Sequence, residues 1–322
     1  MSSRITVALV QGEVAPTLGD ALERTRHYAA EAAARGARII AFPETWIPGY
    51  PVWLDCCRDA ALWDHPPVKA AYAQMAANSI EVHGESGLAL REIARSVQAT
   101  LVLGVVERVG AGPGRGTLYN SLLTIGRSGE LLNHHRKLMP TYTERLVWGS
   151  GDADGLRVVE ADGVRVGGLI CWEHWMPLAR HALHESGEDV HVAVWPTVHE
   201  RHQLASRHYA FESRCYVLAV GSVLRAAALP PALEPHPDRV KSRDAWLLRG
   251  GSAVIAPDGT YVVEPVWERP ELIVADLDLT RLREESMTLD VAGHYHRPDL
   301  FSFGVRRGTR PRAPRQEPDT ST

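Results

Sequence analysis

No apolar run in the sequence approaches the roughly 18 residues that a membrane span needs. Charge of one sign is also missing, because 35 basic residues stand against 39 acidic ones, a net charge of −4. Neither a membrane anchor nor a nucleic-acid footprint is therefore expected. Cysteine is scarce: there are four, Cys56, Cys57, Cys171 and Cys215, two adjacent and none in a C-x-x-C pair. That excludes a disulfide framework and a four-cysteine zinc site. The opening Met1-Ser2-Ser3-Arg4 leads straight into apolar Ile5–Val10, which Gln11 and Gly12 interrupt, so no secretory leader is expected. A cytoplasmic protein with reduced thiols is the reading. No Ser-centred G-x-S-x-G occurs, and Gly110, Gly112, Gly114 and Gly116 do not open a helix after a strand. His134-His135 and the pair His294/His296 lack a third ligand at a recognisable spacing, and in His199-Glu200-Arg201-His202 the histidines stand three apart. Neither a metal nor a cofactor is expected from these patterns.

What is present is apolar material, 45% of 322 residues, with 23% charged, enough for a large core. Ile5–Val10 reads as a buried strand. Asp20 with Glu23 resembles a capping box ahead of an Ala-rich helix, Ala21–Arg35, and Ala37–Phe42 is the next strand. A helix over Gly84–Val97 and a strand over Thr100–Glu107 follow. Ser128-Gly129, Asp162-Gly163 and Pro257-Asp258-Gly259 mark three hairpins. Pro177–Ser186 and Glu200–Arg214 read as helices, Val190–Trp195 and Tyr216–Val223 as strands. Alternating strands and helices with added hairpins predict an α/β protein, a mixed sheet layered with helices. Pro230–Arg243 is a polar, Pro-rich insertion long enough for a lid or an interface loop. Residues 1–305 read as one catalytic domain. From Arg306 to Thr322 the chain is an Arg/Pro-rich tail, five arginines against Glu317 and Asp319, expected to be disordered.

Four residues carry candidate chemistry. Cys171 ends the apolar strand Val164–Ile170, just before a helix, where α/β proteins place their sites and where a helix N-terminus would lower a thiol's pKa. A buried core cysteine would read the same way. Glu44 closes another strand, behind Pro43, and is either a turn glutamate or a general base for a thiol. Lys137 also closes a strand, in His134-His135-Arg136-Lys137, where a surface lysine is the ordinary reading. Glu144 lies before the Gly-rich run Trp148–Gly155 and is equally readable as a loop carboxylate.

Taken with their neighbours, these residues resemble the nitrilase superfamily of carbon–nitrogen hydrolases. The resemblance rests on Glu44 in Phe-Pro-Glu-Thr, Lys137 in His-Arg-Lys-Leu and Cys171 in Ile-Cys-Trp-Glu, in order along almost the whole chain. Cys171-Trp172-Glu173-His174, Phe42–Pro51 and Gly293–Asp299 resemble the nitrilase branch in particular; amidases and carbamoylases more often carry Cys-Tyr-Asp at that place. The resemblance implies an α-β-β-α sandwich and a Glu-Lys-Cys triad of Glu44, Lys137 and Cys171. It implies Glu144 as a further structural or catalytic glutamate, orienting Lys137 or the substrate. It also implies hydrolysis of a small organic nitrile to acid and ammonia through a thioimidate and a thioester, without cofactor. A homo-oligomer built on a dimer, possibly spiral, is implied as well. Trp46, Trp172, Thr197 and His199, which follow these or neighbouring strands, are expected pocket walls. An amidase or carbamoylase, a cyanide-processing hydratase or dihydratase, and a catalytically silent binding subunit remain as alternatives.

Overall fold

Two mixed sheets face each other in the computed structural model, which describes residues 4–308. The first sheet has six strands. They are β1 (Arg4–Gln11), β2 (Ile39–Ile47), β3 (Thr100–Arg108), β4 (Leu118–Ile125), β5 (Leu131–Arg136) and β13 (Glu271–Asp278), in the order β13-β1-β2-β3-β4-β5. The second has seven strands: β6 (Val159–Ala161), β7 (Val164–Ile170), β8 (Val190–Val194), β9 (Tyr216–Val220), β10 (Val223–Arg225), β11 (Trp246–Ile255) and β12 (Tyr261–Trp267). Its order is β10-β11-β9-β8-β7-β6, with β12 paired to β11. Helices α1 (Leu18–Ala34) and α4 (Glu85–Val97) cover the outer face of the first sheet, and α5 (Pro177–Ser186) and α6 (Glu200–Ser213) that of the second. Helix α3 (Pro66–Ala77) and the short α2 (Trp53–Cys56) and α7 (Thr280–Ser286) are the other α-helices among the described residues. The architecture is the expected α-β-β-α sandwich.

Side-chain alternation explains the layering. On β1, Ile5, Val7 and Leu9 point between the sheets while Ala8 and Val10 meet the helix layer; β2 repeats this with Ile39 and Ala41 against Ile40 and Phe42. Both faces are apolar because both are covered. The sheets approach closely at Gly168, where a Cβ would stand 2.7 Å from Leu122 Cδ2 of the opposite sheet.

Several boundaries differ from those expected. Helix α1 begins a turn early because Thr17, not Asp20, is its N-cap: Thr17 Oγ1 accepts from the Asp20 backbone N–H at 3.2 Å. Strand β2 does not stop at Phe42 but runs through Pro43 and Glu44 to Ile47. Strand β13 and helix α3 carry no strong periodic or turn signal and were not anticipated. The Pro230–Arg243 insertion docks on the end of α2: Arg58 N–H donates to Glu234 O and His236 N–H to Cys56 O, both at 2.8 Å. The expected disordered tail falls largely on residues 309–322, outside the described residues. Among the described residues, no helix is long and apolar enough to cross a membrane.

Candidate active site

Two strand ends, one strand bulge and one turn build the site. Strand β7 runs parallel to β8 and ends in Cys171, whose φ of +53° turns the chain into a 3₁₀ turn, Cys171–Trp175. A non-glycine residue in that left-handed region is strained and holds its side chain at a sharp corner. Strand β2 carries a bulge: Phe42 pairs with Leu103 and Ile47 with Val105, so four residues lie opposite Gly104. Thr45 has a φ of +48° within it. The bulge takes Glu44 off the alternation of β2. It fits because position 104 is glycine: a Cβ there would come within 2.6 Å of Glu44 Cα and 2.5 Å of Pro43 O. Lys137 follows β5, its N–H held by Asn120 O at 2.8 Å. Glu144 sits in the 3₁₀ turn Tyr142–Leu146, where its carboxylate accepts from the Thr141 N–H at 2.7 Å.

These elements bring all four expected residues together in a buried cluster. Glu44 is 0%, Lys137 1%, Glu144 1% and Cys171 4% exposed, so water screens none of their charges. Lys137 Nζ donates to Glu44 Oε1 at 3.1 Å and to Glu144 Oε1 and Oε2 at 3.0 and 2.8 Å. Donor atoms of Glu44, Glu144 and Cys171 all lie within 4.8 Å of one another. Such a group has the make-up of a metal site, but the Lys137 ammonium already bonds both carboxylates. Asn120 Nδ2 donates to Glu44 Oε1 at 2.7 Å, and the Tyr50 hydroxyl to Glu144 Oε1 at 2.8 Å. Glu44 Oε2 has no partner, which leaves one lone-pair face of this carboxylate available in a buried site.

Burial and the neighbouring charges set the protonation pattern. Burial pushes the Glu44 carboxyl up to about 7, against the Lys137 charge and the Asn120 and Lys137 hydrogen bonds that pull it down. The Cys171 thiol is held well above its ordinary value by burial and then by Glu44; Lys137 and the Trp172 backbone N–H oppose this. The sequence-based expectation of a thiol acidified by a helix N-terminus is therefore corrected. A 3₁₀ turn follows Cys171, α5 begins only at Pro177, and desolvation dominates. Burial opposes the Lys137 charge, but the Glu44 and Glu144 carboxylates beside it outweigh that penalty, so the ammonium is held charged.

A second layer of polar side chains fixes these positions. The buried Glu173 carboxylate accepts from the N–H groups of Leu138 and Ile170, both at 2.7 Å, and from His135 Nε2 at 2.9 Å. It thereby ties the residue after Lys137 to the residue before Cys171. His174 Nδ1 donates to Cys171 O at 2.7 Å, and its Nε2 lies 3.0 Å from His191 Nε2. His191 Nδ1 then lies 2.7 Å from Glu188 Oε1, and Tyr209 donates to the other Glu188 oxygen. This chain closes only with a proton between His191 Nδ1 and Glu188. His134 and Arg136 bond Glu107.

The expected pocket walls fare differently. Trp46 is no pocket wall: it is 1% exposed in the helix-side core, tilted against Phe42, with its indole N–H donating to Thr25 Oγ1 at 2.8 Å. It lies beyond the bulge, back on the outer face of the first sheet. Trp172, 54% exposed, stands at the surface beside the corner. Thr197 accepts from the Arg249 N–H at 3.1 Å and donates to Gly250 O at 3.2 Å. His199 lines a cleft of about 570 Å³ with Glu200, Arg201, Arg249 and Trp267, and stacks at 3.7 Å on His202. Asn120, Tyr50 and the His135–Glu173 pair were missed. Each is a lone polar residue whose partner is distant in sequence, and only the general rule that buried polar groups need partners could have flagged them.

Comparison with known proteins bears on this geometry. The family model for carbon–nitrogen hydrolases matches residues 6–285. "Nitrilase 2" from an unknown prokaryotic organism is 38% identical over 313 residues, covering 95% of this chain and 94% of that protein. An "aliphatic nitrilase" from Sinorhizobium fredii is 36% identical, covering 94% of this chain and 96% of its own length. Among solved structures, a carbon–nitrogen hydrolase from Helicobacter pylori superimposes with a TM-score of 0.67 at 15% identity, over 92% of this chain and 97% of that one.

Proposed function

The chain belongs to the carbon–nitrogen hydrolase family, and from that premise we propose that it is a nitrilase, converting a small organic nitrile to the carboxylic acid and ammonia. The observation that carries this reading is the buried Lys137 ammonium bonded to Glu44 and Glu144 beside the Cys171 thiol. Similarity over about nine-tenths of the chain to proteins named as nitrilases favours nitrile over amide as substrate.

Cys171 Sγ attacks the nitrile carbon while its proton passes to Glu44, whose Oε2 is unpartnered. Charge develops on nitrogen, and the Lys137 ammonium with the Trp172 N–H stabilises it; one such donor typically contributes about 3 kcal/mol. The nitrogen takes this proton from Glu44, giving the thioimidate and restoring the Glu44 carboxylate. A first water, its proton taken by Glu44, adds to the carbon to form a tetrahedral intermediate. The protonated nitrogen leaves as ammonia and a thioester remains. A second water releases the acid and returns the proton to sulfur, so one nitrile and two waters give one acid and one ammonia. Glu144, fixed by Tyr50 and Thr141, orients Lys137 and acts through it.

The test is a panel of aliphatic, dinitrile and arylacetonitrile substrates with the matching amides, scored for ammonia and resolved for acid and amide. Nitrile turnover with acid as main product is expected; amides turning over much faster than every nitrile would assign the amidase branch instead. The same reading gives a homo-oligomer built on a dimer, which exposed Trp172, Trp175, Met176 and Leu178 support as an apolar surface, and which sedimentation velocity checks. It also places the enzyme in the cytoplasm, in keeping with four free cysteines.

A further inference from the structure

On the outer surface of helix α5, away from the thiol cluster, three good metal ligands converge from two separate parts of the chain. His181 and Glu185 stand four residues apart on that helix, so both project from one face. Their Nε2 and Oε1 atoms are 3.6 Å apart, longer than a hydrogen bond. His296 arrives from the C-terminal segment, its ring 5.9 Å from that of His181 at an interplanar angle of 78°. One donor atom from each of the three lies within 4.8 Å of the other two. We propose that His181, Glu185 and His296 form a divalent-metal site, of zinc type, that clips the C-terminal segment to helix α5.

The donor set decides the class of ion. Two imidazoles and one carboxylate suit zinc and its borderline neighbours, whereas magnesium and calcium prefer oxygen alone. Three protein ligands leave a fourth tetrahedral position for water. Nearby cations do not compete for Glu185: Arg180 is paired with Glu212 at 2.8 Å and Arg297 with Asp299 at 2.6 Å. The backbone holds His296 in place, since its N–H donates to Gly293 O at 2.9 Å in a tight turn. Past this turn, Phe303 packs edge-on against the His181 ring at 4.7 Å and joins Val305 on the core. The segment is therefore docked before any ion binds, and the ion meets a largely formed site. The pair His294/His296 lacked a third ligand in the sequence because the other two donors lie on a helix far upstream.

The test uses the full-length protein stripped of metal, titrated with Zn²⁺ by calorimetry and with Co²⁺ by visible absorption. Expected are one equivalent bound, a Tm raised by Zn²⁺, and cobalt bands without thiolate charge transfer. Glu185→Gln changes an exposed residue and His296→Ala a half-buried one. Each should keep its metal-free Tm near wild type, bind Zn²⁺ at least about tenfold more weakly, and lose the metal-induced rise. The Cys171→Ser variant should bind Zn²⁺ as wild type does, which separates this site from the thiol cluster. Unchanged affinity in both His296→Ala and Glu185→Gln, a thiolate band that vanishes in Cys171→Ser, or no binding to wild type at micromolar Zn²⁺ would each overturn the proposal.

Discussion

Burial makes Cys171 a poor resting nucleophile and Glu44 a well-matched base. The thiol is held protonated by burial and by Glu44, while the Glu44 carboxyl titrates at about 7. Proton transfer from the resting thiol to Glu44 is therefore uphill and is drawn forward by C–S bond formation, while a carboxyl poised near neutral pH keeps an ionised fraction ready to receive the proton. On the proposed roles, Cys171→Ala should remain folded and release no ammonia; substantial turnover by the folded variant would remove Cys171 as nucleophile. Glu44 must be ionised to accept the proton, so kcat/KM should fall about tenfold per pH unit below about 7. Asn120 donates to the ionised form, so Asn120→Ala should raise the pKa. A hydrogen bond to a charged group contributes about 1.5 kcal/mol, and this predicts a limb moved up by about one unit. A pH–rate profile of the two proteins decides it; an unmoved acid limb means that another group titrates. At this scale the sequence was readable where residue types and motif agreed, at Glu44, Lys137, Glu144 and Cys171. Asn120, Tyr50 and Glu173 escaped because a lone polar residue announces no partner, and Trp46 misled because nearness to Glu44 in sequence does not put a side chain on the same face: it lies with Ile40 and Phe42 on the helix side.

Elements place these residues through two departures from ideal geometry, the left-handed Cys171 and the β2 bulge. Neither has a sequence period, so strand β2 seemed to end where its alternation did. Hairpins, by contrast, were legible: Ser128-Gly129 and Asp162-Gly163 supply the residues that accept positive φ, and the strands flank them as expected. Strand β13 was not legible, since Glu271, Asp276 and Asp278 dilute its apolar residues and its partner β1 lies at the other end of the chain. The bulge yields a direct prediction. A methyl group at Gly104 would meet backbone atoms of Pro43, Glu44 and Thr45 at 2.5–2.6 Å. Backbone cannot swing aside as a side chain would, so Gly104→Ala should cost about 1–3 kcal/mol of stability. It should also lower kcat by about 10²-fold through displacement of Glu44. Thermal melts and single-turnover rates measure the two effects; wild-type kcat in this variant would disconnect the bulge from the position of the base.

Across the whole molecule, buried titratable groups oppose one another in sign, and their balance sets how the sandwich responds to acid. Its layering was legible, because covered strands read as continuous apolar runs; the polar groups buried at the strand ends were not. His174, 2% exposed, is held well below its ordinary pKa by burial and then by His191. His202, 6% exposed, is lowered to about 4, chiefly by burial. An unfolded chain protonates both near 6.5, so as pH falls from there the unfolded state gains protons that the folded state refuses, and stability declines. Glu44 acts in the opposite sense: raised to about 7, it binds a proton in the folded state that the unfolded chain takes up only near 4.5. With His199 also lowered by burial, three histidines against one carboxyl leave the unfolded state with the larger proton uptake between about pH 6.5 and 4.5. Below that range the carboxyls of Glu107, Glu173 and Glu212, all lowered by their partners, add to the loss. Denaturant unfolding followed from pH 8 to 4 should therefore show stability falling steadily on the acid side. His202→Gln, which removes one of the refusing groups, should flatten the slope between 6.5 and 4.5. A wild-type stability that rises toward acid in that window would mean that Glu44, not the histidines, controls the pH response.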